Sequence, residues 1–280
     1  MQSDLRQHEA GGMTRRGNLV AHAVLVLFCL VIALPLLWVL RTSFVPEAQS
    51  TSLDLETGFT LDNYLKLLVE DGFWRAAVNS FAAAALSTLL ALPFAAMLGY
   101  ALARYRNGGQ AGRFLLLLLQ LLPPIAIVLP AVALFQVAGL ADPMSGLVIA
   151  YAAINLPFLT WILIGFFEKV PVELEWAAMS DGATAWGAFW RIALPVARPG
   201  LAVAALSGFI LAWNEYLFAL VLTDAETATI PIALTNLQSR TQVPVAELSA
   251  GIVLGILPLL IAVGFLRRHL IRGRTFGAIR

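Results

Sequence analysis

The chain has 280 residues, 60% of them hydrophobic and 12% charged, with a formal net charge of +1 and a mean hydropathy of +0.82. Soluble domains sit nearer to about 45–50% apolar and about 25% charged, so these proportions argue against a soluble domain, a disordered chain and a nucleic-acid binder. The length suits about six membrane spans of some twenty residues with connecting loops.

Six apolar stretches follow one another, at 19–40, 76–101, 114–139, 145–167, 200–222 and 248–266. Each can cross a hydrocarbon core of about 30 Å as a helix. None shows the period-two alternation of a membrane barrel. The first stretch follows Arg15 and Arg16, as a secretory signal would. Its apolar run is about twice a signal core and ends at Trp38 and Arg41 without a small-x-small site, so it is expected to stay as a span. Cys29, the single cysteine, makes neither an internal disulfide nor a four-ligand metal site, and is expected to be a small buried apolar side chain.

After the first span, 41–73 is the longest polar insert. Within it Thr60-Leu-Asp-Asn-Tyr-Leu-Lys-Leu-Leu predicts a short helix capped by Thr60. Prolines lie in the spans at Pro35, Pro93, Pro123, Pro124, Pro130, Pro157 and Pro258. Proline kinks a membrane helix and frees carbonyls, which suggests a bundle that encloses a cavity or bends during a cycle.

Charge sets the expected orientation. With the N-terminus cytoplasmic, 1–18, 102–113, 168–199 and 267–280 fall inside and hold 14 of the 18 Lys and Arg residues. Only Arg41, Lys66, Arg75 and Arg240 fall outside. This is the positive-inside bias, and it predicts six spans with both ends cytoplasmic. Cytoplasmic tails are expected at 1–18 and 267–280, and a six-span domain over 19–266, with outer loops at 41–73 and 223–247.

The inner loop 168–199 is long and not very polar. Pro171 opens it, Pro195 and Pro199 close it, and Asp181-Gly182 interrupts the helix formers between them. That pattern predicts a helix–turn–helix, with glycine supplying the turn. One reading is an amphipathic hairpin on the bilayer surface. The small residues Ala177, Ala178, Gly182, Ala183 and Ala188 favour a docking element instead, because they let another backbone approach closely.

Catalytic constellations are missing from the sequence. It contains no G-x-x-x-x-G-K-[ST], no H-E-x-x-H and no G-x-S-x-G. The histidines, His8, His22 and His269, lie near the ends and make a metal site improbable. The informative polar residues lie in the spans. Trp213-Asn214-Glu215-Tyr216 puts a carboxylate where exposure to lipid costs roughly 2.5–3.5 kcal/mol or more. Asn214 and Glu215 are therefore candidates for a translocation path or gate, or for a hydrogen bond that locks two helices. Asn79 and Asn155 are weaker candidates for the path, and helix–helix hydrogen bonding is the plainer reading.

Residues 173–199, ELEWAAMSDGATAWGAFWRIALPVARP, resemble the signature loop of binding-protein-dependent ATP-binding-cassette permeases. Ala177, Ala178, Gly182, Leu194 and Pro195 match that pattern, and Asp181-Gly182-Ala183 is similar to its carbohydrate-importing branch. The family's usual glutamate falls at Trp176, with Glu175 one place earlier, so apolar burial would replace a charge pair there. Gly99-Tyr-Ala-Leu-Ala-Arg104 and Ala212-Trp-Asn-Glu-Tyr-Leu-Phe-Ala-Leu220 are also typical of the family. The tail, with Gly273, Thr275, Gly277 and Ala278, resembles the ending of the maltose-type second permease subunits.

The resemblance implies an all-α fold, the six-helix half of a heterodimeric pore, in a bacterial or archaeal inner membrane. It implies that the loop, with Glu175 and Trp176, docks on a separate ATPase and that the tail contacts the ATPase pair. The implied partners are a second homologous permease, two copies of the ATPase subunit, which hold the ATP and magnesium, an extracytoplasmic solute-binding protein and membrane lipid. The chain itself would bind no cofactor. A proton-coupled secondary transporter using Glu215 is the alternative; the two halves of the sequence show no convincing repeat of the kind many such transporters have.

Overall fold

The computed structural model describes residues 3–52, 54, 56–105, 109–139 and 142–273, with side chains described for those within 20–264. Among the described residues the structure is helical, without strands. The helices are α1 (Ser3–Thr42), α2 (Asp62–Leu65), α3 (Phe73–Arg104), α4 (Gly109–Leu121), α5 (Pro124–Val137), α6 (Pro143–Phe167), α7 (Val172–Ser180), α8 (Ala185–Ala188), α9 (Leu194–Val196), α10 (Arg198–Trp213), α11 (Leu217–Leu222), α12 (Ile230–Gln238) and α13 (Val245–Gly273).

The central pair is α3 and α6. Alanines dominate the buried face of α3, at Ala83, Ala84, Ala91, Ala95 and Ala96, and the facing α6 fills the space with Leu147, Tyr151, Leu159, Leu163 and Phe167. Small residues on one membrane helix let the partner's backbone come close. Gly99 marks a close approach of the two: a Cβ there would stand 3.1 Å from Leu163 Cβ and 3.3 Å from the carbonyl of Thr160. Helix α10 completes this centre by burying Ala204, Gly208, Ala212 and Trp213.

Among the described residues four helices are long and apolar enough to cross a membrane unbroken, at Val20–Thr42, Phe73–Arg104, Pro143–Phe167 and Val245–Gly264. The stretch 114–139, expected as one span, is two helices meeting at 93°. Pro123 and Pro124 explain the break. Neither ring carries an N–H for the helix ladder, and each disfavours helical geometry in the residue before it. The stretch 200–222 is also divided, with α10 ending at Trp213 and α11 starting at Leu217.

Two further expectations are corrected. Cys29 is exposed rather than buried, because among the described residues none covers this part of the apolar flank of α1. Thr60 does not cap α2. Leu61 occupies that position, and Thr60 Oγ1 instead accepts a hydrogen bond from the Asp62 amide at 3.1 Å, one step before the helix.

At the end where α3 begins, side chains tie the loops to the spans. Asn63 Nδ2 donates to the carbonyls of Ser43 and Val45, each at 2.9 Å. The Glu47 carboxylate accepts the amides of Val245 and Ala246 at 2.8 and 2.9 Å, which caps the free N–H groups of α13. The insert 223–247 is not merely a loop, since it contains α12.

Candidate coupling hairpin and the polar residues of the spans

Helices α7 to α9 form a hairpin at the end where α3 finishes. Pro171 stands at the N-cap of α7, with Glu173 and Glu175 in the first turn, where negative charge complements the helix dipole. The helix stops at Asp181-Gly182. Gly182 has φ +94°, a left-handed backbone. Its amide donates to Met179 O at 3.1 Å, and the Ala183 amide donates to Ala178 O at 3.0 Å. These two bonds are a Schellman closure, which needs glycine at this position. A Cβ at Gly182 would meet nothing within 4 Å, so the constraint here is backbone strain rather than crowding. Thr184 then starts α8, its hydroxyl accepting the Gly187 amide at 3.1 Å.

The hairpin has two faces of different chemistry. Inward, Ala188 and Phe189 are buried, and the Phe189 ring lies 4.9 Å from Tyr100 and 6.2 Å from Phe167. Outward, Trp176, Trp186 and Trp190 are exposed at 59%, 58% and 47%. Ala177, Asp181 and Gly182 are exposed beside them, Ala178 and Ala183 are half-buried, and Leu194 and Pro195 are half-buried where the hairpin returns to α10. Trp186 and Trp190 pack edge to face with ring centroids 5.7 Å apart, and large exposed apolar side chains of this kind favour an interaction surface.

Glu175 departs from the expected arrangement. It does not share the exposed face of its neighbours. It is 3% exposed, and its carboxylate turns inward to Tyr100 and Arg104 on α3. Sequence reading missed these two partners in this role. The one available signal was local, since a helical spacing of three puts Glu175 on the same face as Val172 and Ala178, both partly covered.

The polar residues of the spans have separate roles. Trp213 is buried, and its indole donates to Gly255 O on α13 at 3.1 Å. Asn214 is exposed and donates to Ile210 O at 2.7 Å, within its own helix. Glu215 Oε1 and Oε2 accept the amides of Leu217 and Phe218, both at 3.0 Å, so the carboxylate satisfies the first free N–H groups of α11. Tyr151 on α6 donates its hydroxyl to the Glu215 carbonyl at 3.2 Å. Asn155 is buried and donates to Gly208 O at 3.3 Å, joining α6 to α10. Asn79 donates to the carbonyls of Glu226 and Ala228 at 2.8 and 3.1 Å, and its neighbour Ser80 accepts the Ile230 amide at 2.8 Å. Asn79 and Asn155 thus join elements.

A second charged group lies at the opposite end. Lys66 Nζ is 3.0 Å from Glu247, Arg240 is 2.7 Å from Asp71, and the same guanidinium is 3.4 Å from Glu247. Burial pushes the Asp71 carboxyl up, but hydrogen bonding, including the Arg240 guanidinium at 2.7 Å, outweighs this and holds it below the ordinary 3.8. The Glu247 carboxylate, by hydrogen bonding and charge, raises the Lys66 ammonium above 10.5. Among the described residues no group of three His, Cys, Asp or Glu could hold a metal ion. In the tail, Gly273 is the last residue of α13, while Thr275, Gly277 and Ala278 lie outside the described residues.

Long apolar helices, with bent helix pairs among them, packed around a small-residue contact are the architecture of a multi-pass membrane protein. The chain belongs to the binding-protein-dependent transport system inner membrane components, whose family model matches residues 91–275. It is 35% identical over 256 residues to the trehalose transport system permease protein SugB of Mycobacterium tuberculosis, covering 88% of this chain and 92% of that one. It is 31% identical over 252 residues to the sulfoquinovosyl glycerol transport system permease protein SmoH of Agrobacterium fabrum, covering 88% of each. The crystal structure of a bacterial ABC transporter that imports the acidic polysaccharide alginate shares the fold, with a TM-score of 0.78 at 23% identity over 91% of this chain and 96% of that chain.

Proposed function

We propose that this chain is one permease half of an ATP-binding-cassette importer for a carbohydrate or closely related polar solute. An extracytoplasmic binding protein delivers the solute, and a second permease completes the pathway. Two ATPase subunits drive alternating access through the hairpin 172–196. The chain carries no nucleotide motif, so hydrolysis belongs to the partners. In this reading the hairpin end, both termini and the 267–280 tail face the cytoplasm of a bacterial or archaeal cell, in keeping with the placement of the basic residues.

The observation that carries the proposal is the two-faced hairpin. Its inner face is bolted to α3 by Phe189 and Glu175, while its outer face presents three tryptophans and small residues to a partner. The family membership and the sugar permeases among the relatives support the same reading. They lend nothing to the proton-coupled alternative, and both Glu215 carboxylate oxygens are already engaged by backbone amides.

The test is co-purification. The chain expressed with its ATPase and second permease should retain the ATPase, and Gly182→Arg should insert normally but release it and abolish uptake. Retention of the ATPase together with normal uptake in that variant would refute the docking role.

A further inference from the structure

One carboxyl group joins the hairpin to the central helix. Glu175 Oε1 receives Arg104 Nε at 2.9 Å and a terminal guanidinium nitrogen at 2.8 Å. Glu175 Oε2 receives the Tyr100 hydroxyl at 2.6 Å. The same guanidinium donates to Val170 O at 2.8 Å, just before the hairpin. Tyr100 and Arg104 are one turn apart at the end of α3 and share a face. The Tyr100 ring also packs edge-on against Phe167 at the end of α6, with centroids 5.6 Å apart. The side chains of Glu175 and Arg104 are 4% and 9% exposed.

This geometry has a mechanical consequence. A buried ion pair separates only by leaving a desolvated charge without a partner, which is strongly unfavourable. Sliding α7 past α3 would break the Tyr100 bond and both Arg104 contacts to Glu175 together. Glu175 is 3% exposed and both its oxygens already accept hydrogen bonds within the chain, so it is turned away from any partner protein. At its far end α3 holds residues 226–230 through Asn79 and Ser80.

We propose that Tyr100, Arg104 and Glu175 form a strut that makes the hairpin and α3 one rigid body. A displacement delivered at the outer face of the hairpin then becomes a movement of the whole of α3, felt at the loops on the other side of the bundle. Glu175 is a positioning residue inside the chain, not a contact to the ATPase. The strut rests on the proposed function, because it transmits a motion that a partner ATPase must supply.

The experiment uses the assembled importer in proteoliposomes with its binding protein. Spin labels at Ala101 and at Glu173, an exposed first-turn residue of α7 outside the docking face, in a Cys29→Ala background, report the α3-to-α7 distance with and without ATP. The strut requires one narrow distance in both states, and a shift between states in the otherwise unmodified complex would overturn it. Glu175→Gln keeps the shape and loses the charge. It should retain the ATPase in pull-downs, broaden the label distance, and lower solute imported per ATP hydrolysed by about tenfold, within the usual range of coupling between sites. Arg104→Gln with Glu175→Gln, which leaves no lone buried charge, should keep the fold and the same loss. An unchanged solute-to-ATP ratio in that double variant would overturn the strut, as would release of the ATPase by Glu175→Gln. If the unmodified complex showed no ATP-driven uptake while the label distance stayed narrow, the functional reading would fall and the strut would survive only as a structural tie.

Discussion

Two buried carboxylates stand at opposite ends of the molecule, and they are held differently. Glu175 and Glu247 are 3% and 2% exposed. The cation on Glu175 is sealed in with it, Arg104 being 9% exposed, whereas the cations on Glu247 reach solvent, Lys66 at 51% and Arg240 at 41%. The sealed pair cannot exchange partners with water or salt, so it fixes geometry. The open cluster has its anion inside and its cations outside, so screening reaches half of it. The same chemistry thus makes a rigid joint at the hairpin end and an adjustable brace at the loop end.

The largest expected effect comes from breaking the sealed pair on one side. Arg104→Ala leaves the Glu175 carboxylate buried with only Tyr100, and removal of one partner of a buried pair costs about 3–5 kcal/mol. Thermal unfolding in detergent should show a correspondingly large fall. A loss under about 1 kcal/mol would mean that water enters the site and that the pair is not sealed.

A third carboxylate provides the contrast without any cation. Glu215 is held by the amides of Leu217 and Phe218. Replacing it with leucine removes a cap, so Glu215→Leu should cost about 1–2 kcal/mol. Uptake by the unmodified protein should resist a proton uncoupler as long as ATP is kept constant. Collapse of uptake under those conditions would revive a proton role for this residue.

These three carboxylates also show what the sequence could and could not say. The hairpin was legible because its signals are local: Pro171, the Asp181-Gly182 turn and the returning Pro195 lie within one short stretch. The bends were half-legible. Pro123-Pro124 announced a disturbance, but 93° rather than a mild kink comes with α4 packing on α3 and α6 while α5 packs on α11. Glu215 read as a polar residue stranded in a span, although a carboxylate two and three residues before free amides is a local capping pattern. The partners of Glu175 lie 71 and 75 positions away, at Arg104 and Tyr100. No periodicity in one sequence reports a contact of that range, so its inward direction emerged only with the packing of α7 on α3. Lys66, Asp71, Arg240 and Glu247 were illegible for the same reason.

The open brace should respond weakly to mutation and visibly to salt. Lys66→Met leaves Glu247 with Arg240 alone at 3.4 Å. Because Lys66 is largely solvated, the loss should be about 1 kcal/mol or less. Raising ionic strength to about 1 M, where the Debye length is about 3 Å, should erase most of the difference from the unmodified protein. The same salt should leave the Arg104→Ala difference intact. Equal salt sensitivity at both ends would remove the distinction between joint and brace.

The smallest effect concerns pH, and its sign is worked out for two groups of the brace, Asp71 and Lys66. Asp71 is held below 3.8, so its contribution to stability is fully present above that value and is lost as pH falls through its lower folded value. Lys66 is held above 10.5, so its contribution is fully present below that value and is lost as pH rises through its higher folded value. Neither window touches the range in which cells work. The unfolding-temperature difference between Asp71→Asn and the unmodified protein should therefore stay flat from about pH 9 to about pH 5 and shrink only in stronger acid. Since Lys66 and Arg240 remain charged throughout that flat range, any change there must come from a carboxylate. A difference that already shrank near pH 6 would mean that the coupled carboxyls of Asp71 and Glu247 take up a proton far above 3.8. The cations would then fail to hold them, and the brace would open under mild acid while the sealed joint at Glu175 stayed closed.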